Sequence, residues 1–324
     1  MISIEHLDKQ FASVHAVNDI SLQAQRGEIF GLLGPNGAGK STTIRMINNI
    51  IRPDSGTILY DGLPFSDSIR NRIGYLPEER GLYQKARILE TIVYFARLKN
   101  LSNAEARKRA EMWLLRFNLA GSERRRVEEL SKGNQQKVQI IIALIHEPDY
   151  LILDEPASGL DPVNQETLRD IVDEQRAAGR TILYSTHQME LAERLCNRIA
   201  LINRGKVVLS GTVDQVRDGH AGNVVRVEFQ GDGSFLRTLP QVLDADMDAN
   251  YAELRLLPDV SINDLLPHLI DRIRISKIER VRPSLKSIFI DTVATVEREE
   301  KMLEAERRPK SGPYNNDRFR EGAR

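Results

Sequence analysis

The stretch GEIFGLLGPNGAGKSTTIRMINNI (27–50) restricts what this chain can become more than any other. A buried-type apolar run (27–34) enters a glycine-rich loop and a helical run (40–50) leaves it, the order of a strand, a tight turn and a helix. Within it, GPNGAGKST (34–42) fits G-x-x-x-x-G-K-[ST] in the context that pattern requires. Gly34, Gly37 and Gly39 let the backbone wrap closely so that consecutive N–H groups face phosphate oxygens, and the helix N-terminus adds its partial positive charge. The expected cradle is Gly34, Pro35, Asn36, Gly37, Ala38, Gly39, Lys40, Ser41 and Thr42. In it Lys40 neutralises the β- and γ-phosphates and the Ser41 hydroxyl is a ligand for Mg2+. A glycine turn without a ligand is the plain alternative, and the strand-loop-helix context weighs against it.

From about residue 1 to about 215, apolar runs alternate with amphipathic helices, which predicts an α/β unit with a largely parallel sheet. DYLILDE (149–155) and TILYST (181–186) read as further buried strands, with a helix between them opened by Pro162 and closed by Gly179. Asp154, at the carboxyl end of its strand, is placed to hold Mg2+, and Glu155 leaves the strand line to orient or deprotonate a water. Residues 81–145 carry helical periodicity without strands and read as an inserted helical subdomain. ALINRGKVVLSG (200–211) reads as a hairpin turning at Asn203–Gly205, and Thr212 as the cap of a short helix ending near Gly219. Beyond residue 221 the order is strand, helix, strand, strand, helix, strand, which predicts a small α+β, ferredoxin-like unit over 221–296. The charged stretch 297–324 reads as a flexible tail that can begin as a helix. The phosphate-binding unit is accordingly expected to span 1–220.

Composition narrows the class. With 46 Lys plus Arg against 46 Asp plus Glu, no bulk positive field gathers nucleic acid, and no nucleic-acid partner is expected. The single cysteine, Cys196, excludes an intrachain disulfide framework and reads as a helix-packing residue. A charged N-terminus and the absence of any run of roughly 18 apolar residues predict neither a signal peptide nor a membrane span.

With these motifs in order, the chain resembles the ATP-binding cassette subunits of ABC transporters over about residues 2–215. LSKGNQQ (130–136) stands where that family has its signature sequence, about 90 residues after the phosphate loop and about 20 before Asp154. The resemblance implies that the chain pairs head to tail with a second copy of the same or a similar ATP-binding subunit. Ser131 and Gly133 then bind the γ-phosphate of the neighbour's ATP, in keeping with an anion at a helix N-terminus. A serine-capped surface helix is the bland alternative. The resemblance also implies that Phe11 stacks on adenine, that Asp161 in SGLD contacts the opposite subunit, and that His187 in STHQ accompanies Glu155 at the γ-phosphate. The stretch GYLPEERGLY (74–83) matches the segment that senses nucleotide and touches the membrane partner, with docking expected around Arg80–Tyr83.

Two positions depart from the family pattern. Glu78 stands where glutamine is usual, so a metal set of Ser41, Glu78 and Asp154 is expected with altered metal dependence. Lys132 and Asn134 replace the usual signature glycine and glutamine, and the lysine either attracts the partner's ATP or faces solvent. RPSLKSIFIDTV (282–293) resembles the C-terminal extension of a subset of exporter cassettes, including sodium-extruding and drug-exporting ones. The implied function is an ATPase, with ATP and Mg2+, that drives separate integral membrane permease subunits from the cytoplasmic face of the cell membrane. Its cargo is left open between sodium ions and a drug or antibiotic. A regulatory cassette ATPase acting on ribosomes or DNA is the alternative class; it would carry two cassettes in one chain or a long coiled coil, and neither is evident.

Overall fold

The computed structural model describes residues 1–79, 81–220 and 223–307, with side chains through Val296. The chain opens with β1 (Ile2–Phe11), β2 (Val14–Ala24) and β3 (Glu28–Leu33), followed by α1 (Lys40–Ile47), β4 (Ser55–Tyr60), β5 (Leu63–Pro64), α2 (Asp67–Asn71) and β6 (Ile73–Leu76). Three helices succeed one another next, α3 (Ile88–Leu98), α4 (Asn103–Arg116) and α5 (Lys132–Leu144), with no strand among the described residues between Leu76 and Tyr150. Then come β7 (Tyr150–Asp154), α6 (Pro162–Ala177), β8 (Thr181–Thr186), α7 (Met189–Leu195), β9 (Arg198–Asn203), β10 (Lys206–Thr212) and α8 (Val213–Gly219).

Strands β3, β7 and β8 are buried at every residue, which is what near-continuous apolar runs produce in a parallel sheet covered on both faces. The sheet order is β10-β9-β3-β8-β7-β6, parallel from β9 to β6, with β10 antiparallel at one edge. Residues alternate between two cores. Phe30 and Leu32 of β3 join α1 and the β1–β2 hairpin in one cluster, while Ile29 and Leu33 join α5, α6 and α7 in another. The expected parallel sheet is therefore present, but a second, antiparallel sheet ordered β2-β1-β4-β5 stands beside it. Its strands carry polar residues at most outward positions and lack the unbroken apolar runs that mark β3, β7 and β8.

Local signals act as their chemistry requires. Asp161 caps α6 with Pro162 in its first turn, Gly179 takes φ 78 two residues beyond its end, and Thr212 forms a capping box with Gln215 at α8. Cys196 is buried at the end of α7, and burial pushes its thiol up to about 12.

The third sheet contains β11 (Val224–Gln230), β12 (Val242–Met247), β13 (Tyr251–Leu256) and β14 (Arg274–Arg280), with α9 (Ile262–Leu269) between the last two. It is antiparallel throughout, in the order β12-β13-β11-β14, which is the split βαβ arrangement, and it has its own apolar core. The first helix of that motif is reduced to a 3-10 turn at Ser234–Thr238. Helix α10 (Leu285–Arg307) closes the described chain and runs through the start of the charged stretch. Residues 308–324 of the expected tail, and Arg80 of the expected docking segment, lie outside the described residues.

Candidate active site

The parallel order of β9, β3, β8 and β7 puts four carboxyl ends side by side, and each delivers a different part of the site. The end of β3 feeds the phosphate loop. There Gly34 has φ 149, and a Cβ would come to 2.2 Å from the Ile202 carbonyl oxygen; Gly39 has φ 108, and a Cβ would come to 2.3 Å from the Ala16 carbonyl oxygen. Backbone close on both sides thus permits only glycine at these two positions. The turn after β9 braces the loop, with the Gly205 amide donating to the Ala38 carbonyl at 2.8 Å.

Lys40 is buried, and its ammonium donates to the carbonyls of Gly34 at 2.8 Å and Pro35 at 3.1 Å. Burial lowers its pKa, against the opposing pull of Glu155, Asp154 and Glu78. The Ser41 hydroxyl donates to Glu78 Oε2 at 3.3 Å. Asp154 is 1% exposed and its Oδ1 has no hydrogen-bond partner; burial pushes its carboxyl pKa up, while the neighbouring Ser185 and Ser41 hydroxyls pull it down. A buried, underused carboxylate oxygen, a hydroxyl and a second carboxylate form an all-oxygen donor set suited to a hard divalent cation.

Glu155 takes φ 48, a left-handed conformation that is uncommon for a non-glycine residue and turns the chain out of the β7 line. Its Oε1 lies 2.8 Å from His187 Nδ1 and 3.9 Å from Lys40 Nζ, and its Oε2 accepts from the Thr186 hydroxyl at 3.3 Å. A carboxylate held by a histidine, a threonine and a lysine, next to a loop of backbone amides, can align and deprotonate a water beside a bound phosphate.

A cavity of about 550 Å³ joins these groups, lined by Asn36, Gly37, Gly39–Thr42, Glu78 and Glu155. Its opposite wall is Val14, His15, Ala16, Arg204 and Gly205, none of which sequence reasoning placed at the site. The turn Asn203–Gly205 was readable as a turn, but no local signal connects it to a loop more than 160 residues earlier. Phe11 sits at the end of β1, 43% exposed, with Lys9 Nζ 5.4 Å from its ring centroid. Its hairpin partner Val14, not Phe11, lines the cavity.

Ser131, Gly133 and Asp161 also stand outside this cavity. Ser131 caps α5 by accepting from the Asn134 amide at 3.3 Å, and Lys132 is exposed in the first turn. Gly133 packs where a Cβ would be 2.8 Å from the Gly159 carbonyl oxygen. Asp161 accepts from the Asn164 amide at 3.0 Å, and that bond, with the Asn164 side chain, holds its carboxyl below the usual range. Helix α5 is tied to both acidic segments, since Gln136 donates to the Pro156 carbonyl at 3.1 Å and Gln139 to the Glu79 carbonyl at 3.3 Å.

Comparison with known proteins bears on the family. Residues 17–158 match the family described as ABC transporter, and residues 211–293 match the ATP-binding protein DrrA1-3-like, C-terminal domain. The ABC transporter ATP-binding protein YhaQ of Bacillus subtilis (strain 168) is 41% identical over 91% of this chain and 99% of its own length. The linearmycin resistance ATP-binding protein LnrL of the same organism is 31% identical over 90% of this chain and 97% of its own. The dimeric bacterial ABC transporter cassette MJ0796 superposes with a TM-score of 0.61 at 26% identity, covering 66% of this chain and 99% of that one. A phosphate loop, an acidic strand end and a capped helix outside the loop's cavity, on a chain alike to YhaQ along nearly its whole length, place this protein in the ABC transporter ATP-binding family, whose members hydrolyse ATP coupled to transport.

Proposed function

We propose that this chain is the ATP-driven motor of an exporter and works as a head-to-tail pair. Its own loop holds one ATP, and the Ser131–Gly133 helix start serves the ATP of the second copy. The observation that carries this reading is that the Ser131–Gly133 helix start, exposed at Ser131 and Lys132, lies outside the cavity of the chain's own phosphate loop. ATP that contacts both copies favours the closed pair, and hydrolysis removes that preference. A Gly133→Asp variant is expected to retain ATP binding, to lose ATP-dependent association by light scattering, and to hydrolyse ATP about tenfold slower or worse. Wild-type association in that variant would overturn the head-to-tail reading.

Within one site, Lys40 and the loop amides bind and orient the phosphates, and Glu155 takes a proton from the attacking water while His187 and Thr186 fix its carboxylate. Ser41, Asp154 and Glu78 are the residues that would hold Mg2+, a fit supported by the partnerless Asp154 Oδ1. When bound, the ion supplies charge neutralisation at the β- and γ-phosphates. Glu78→Gln exchanges an anionic oxygen ligand for a neutral one. It is therefore expected to raise the Mg2+ and Mn2+ concentrations for half-maximal ATPase by about tenfold. Superimposable activation curves would remove Glu78 from the metal set.

We assign residues 1–220 to the ATPase unit, with 81–145 as its helical subdomain, 221–296 to the small C-terminal unit and 297–324 to a charged tail. None of the described helices is long and apolar enough to cross a membrane. We infer from its family that the chain acts through separate permease subunits, peripherally at the cytoplasmic face of the membrane. A cavity of about 290 Å³ between α3 and α5, lined by Leu82, Phe95, Leu98 and Ile142, supports docking there, as do exposed Tyr83 and Tyr94. The DrrA-like C-terminal match and the resistance relative LnrL favour a drug-like cargo. Transport by vesicles carrying this chain with its copurifying permease tests that choice: drug uptake into inverted vesicles supports it, and sodium uptake alone overturns it.

A further inference from the structure

Helix α7 begins two residues after His187, so its placement sets that of the histidine. Its first end is tied to the catalytic cluster, because Thr186 Oγ1 accepts from the Gln188 amide at 3.1 Å while donating to Glu155. At its other end Glu193, only 22% exposed, gathers two separate elements. Its Oε2 accepts from the Leu285 amide at 3.1 Å, and its Oε1 pairs with Arg217 of α8 at 2.8 Å. Leu285 is the first residue of α10, so Glu193 satisfies an N–H that has no partner within the helix and places a negative charge at its positive end. Arg217 in turn donates to the carbonyls of Pro283 at 3.1 Å and Arg282 at 3.2 Å, fixing the approach to α10.

Apolar packing follows the same route. Leu285 and Ile288 of α10 share one buried cluster with Met189, Ala192 and Leu195 of α7. The opposite side of α10 is bound to the third sheet: Arg255 donates to the Ser287 hydroxyl at 3.1 Å and pairs with Asp291, and Lys286 pairs with Asp246 at 3.2 Å. Beside this joint lies a cleft of about 550 Å³ lined by Phe289 and Ile290 of α10 and by Asn36 and His187. The Glu193 joint and this apolar packing on α7 together connect α10 to the catalytic pair.

We propose that Glu193 is a positioning residue for hydrolysis: by pinning α7 to α8 and α10, it holds His187 against Glu155 and makes turnover depend on the C-terminal unit. This rests on the assignment of His187 and Glu155 made above. An ordinary exposed ion pair contributes little stability and would leave catalysis alone. A positioning role instead acts on turnover through one other residue.

The test is a double-mutant cycle on the full-length chain. Glu193→Ala is expected to lower kcat for ATP about five- to tenfold with KM within about twofold, and Glu193→Gln, which keeps an acceptor for the Leu285 amide, to regain at least half of the loss. In a His187→Ala background the same Glu193→Ala change is expected to cost less than about twofold. An unchanged kcat in Glu193→Ala, or the full loss repeated in the His187→Ala background, overturns the proposal. Should Glu193→Ala not fold, Arg217→Met releases one of the two anchors and is expected to show a smaller loss that also vanishes without His187; no loss overturns the proposal. Wild-type turnover in His187→Ala would defeat the assignment of the histidine and this proposal with it. A normal His187→Ala loss beside an unaffected Glu193→Ala defeats the proposal alone.

Discussion

Glu155→Gln is expected to lower the maximal rate of ATP hydrolysis by about 10²–10⁴-fold while leaving ATP affinity nearly unchanged, because a positioned general base contributes about that factor. The geometry separates the two effects. Glu155 approaches Lys40 only at 3.9 Å, whereas Lys40 Nζ has closer partners in the loop carbonyls, so the loop does not depend on the carboxylate for its shape. Glutamine keeps the length and an acceptor for the Thr186 hydroxyl, and its amide can still meet His187, so the fold around the left-handed turn at Glu155 is retained. The amide cannot take a proton. Hydrolysis lost with binding kept should also lengthen the life of the ATP-bound pair, visible as a persistent dimer in size-exclusion chromatography with ATP. Undiminished turnover would remove Glu155 as the base and leave only the charge-stabilising groups to explain catalysis.

Lys40→Met should weaken ATP binding by about 100-fold and abolish measurable turnover at millimolar ATP, since a hydrogen bond to a charged group contributes about 1.5–3 kcal/mol and about 1.4 kcal/mol is tenfold in affinity. Methionine matches the buried aliphatic stem, so packing changes little. What goes is the cation among Glu155, Asp154 and Glu78, three carboxylates that then face an incoming triphosphate without it. Calorimetric titration with a non-hydrolysable ATP analogue checks the affinity, and a thermal melt near the wild-type value shows that the loss is local. Wild-type affinity in this variant would mean that the loop amides and α1 alone hold the phosphates.

These two residues differ in how they became legible. Lys40 and Ser41 could be read from one contiguous stretch, because strand, loop and helix form locally and the pattern fixes their spacing. Glu155 was readable as the residue after a buried strand, and its left-handed backbone explains why its side chain leaves that strand's line. Phe11 shows where such reading thins: an aromatic at a strand end was legible, yet the hairpin brings Val14 and His15 to the cavity wall. The second, antiparallel sheet has no clear sequence signature because polar and apolar residues alternate loosely along β1 and β2. The small C-terminal sheet was more legible, since its short strands follow one another in the order that the split βαβ motif uses.

The phosphate-loop motif, the acidic strand end, the helix caps and the alternation of strands and helices could be read from the chain alone, because each is carried by residues close together in it. The side-by-side order of β9, β3, β8 and β7, which brings Arg204, Glu155 and His187 to one loop, and the meeting of α10 with Glu193 became visible in three dimensions alone. The reason is physical. Burial periodicity records how much of a segment is covered but not by what, and parallel strands are joined by long crossovers whose partners no local pattern names.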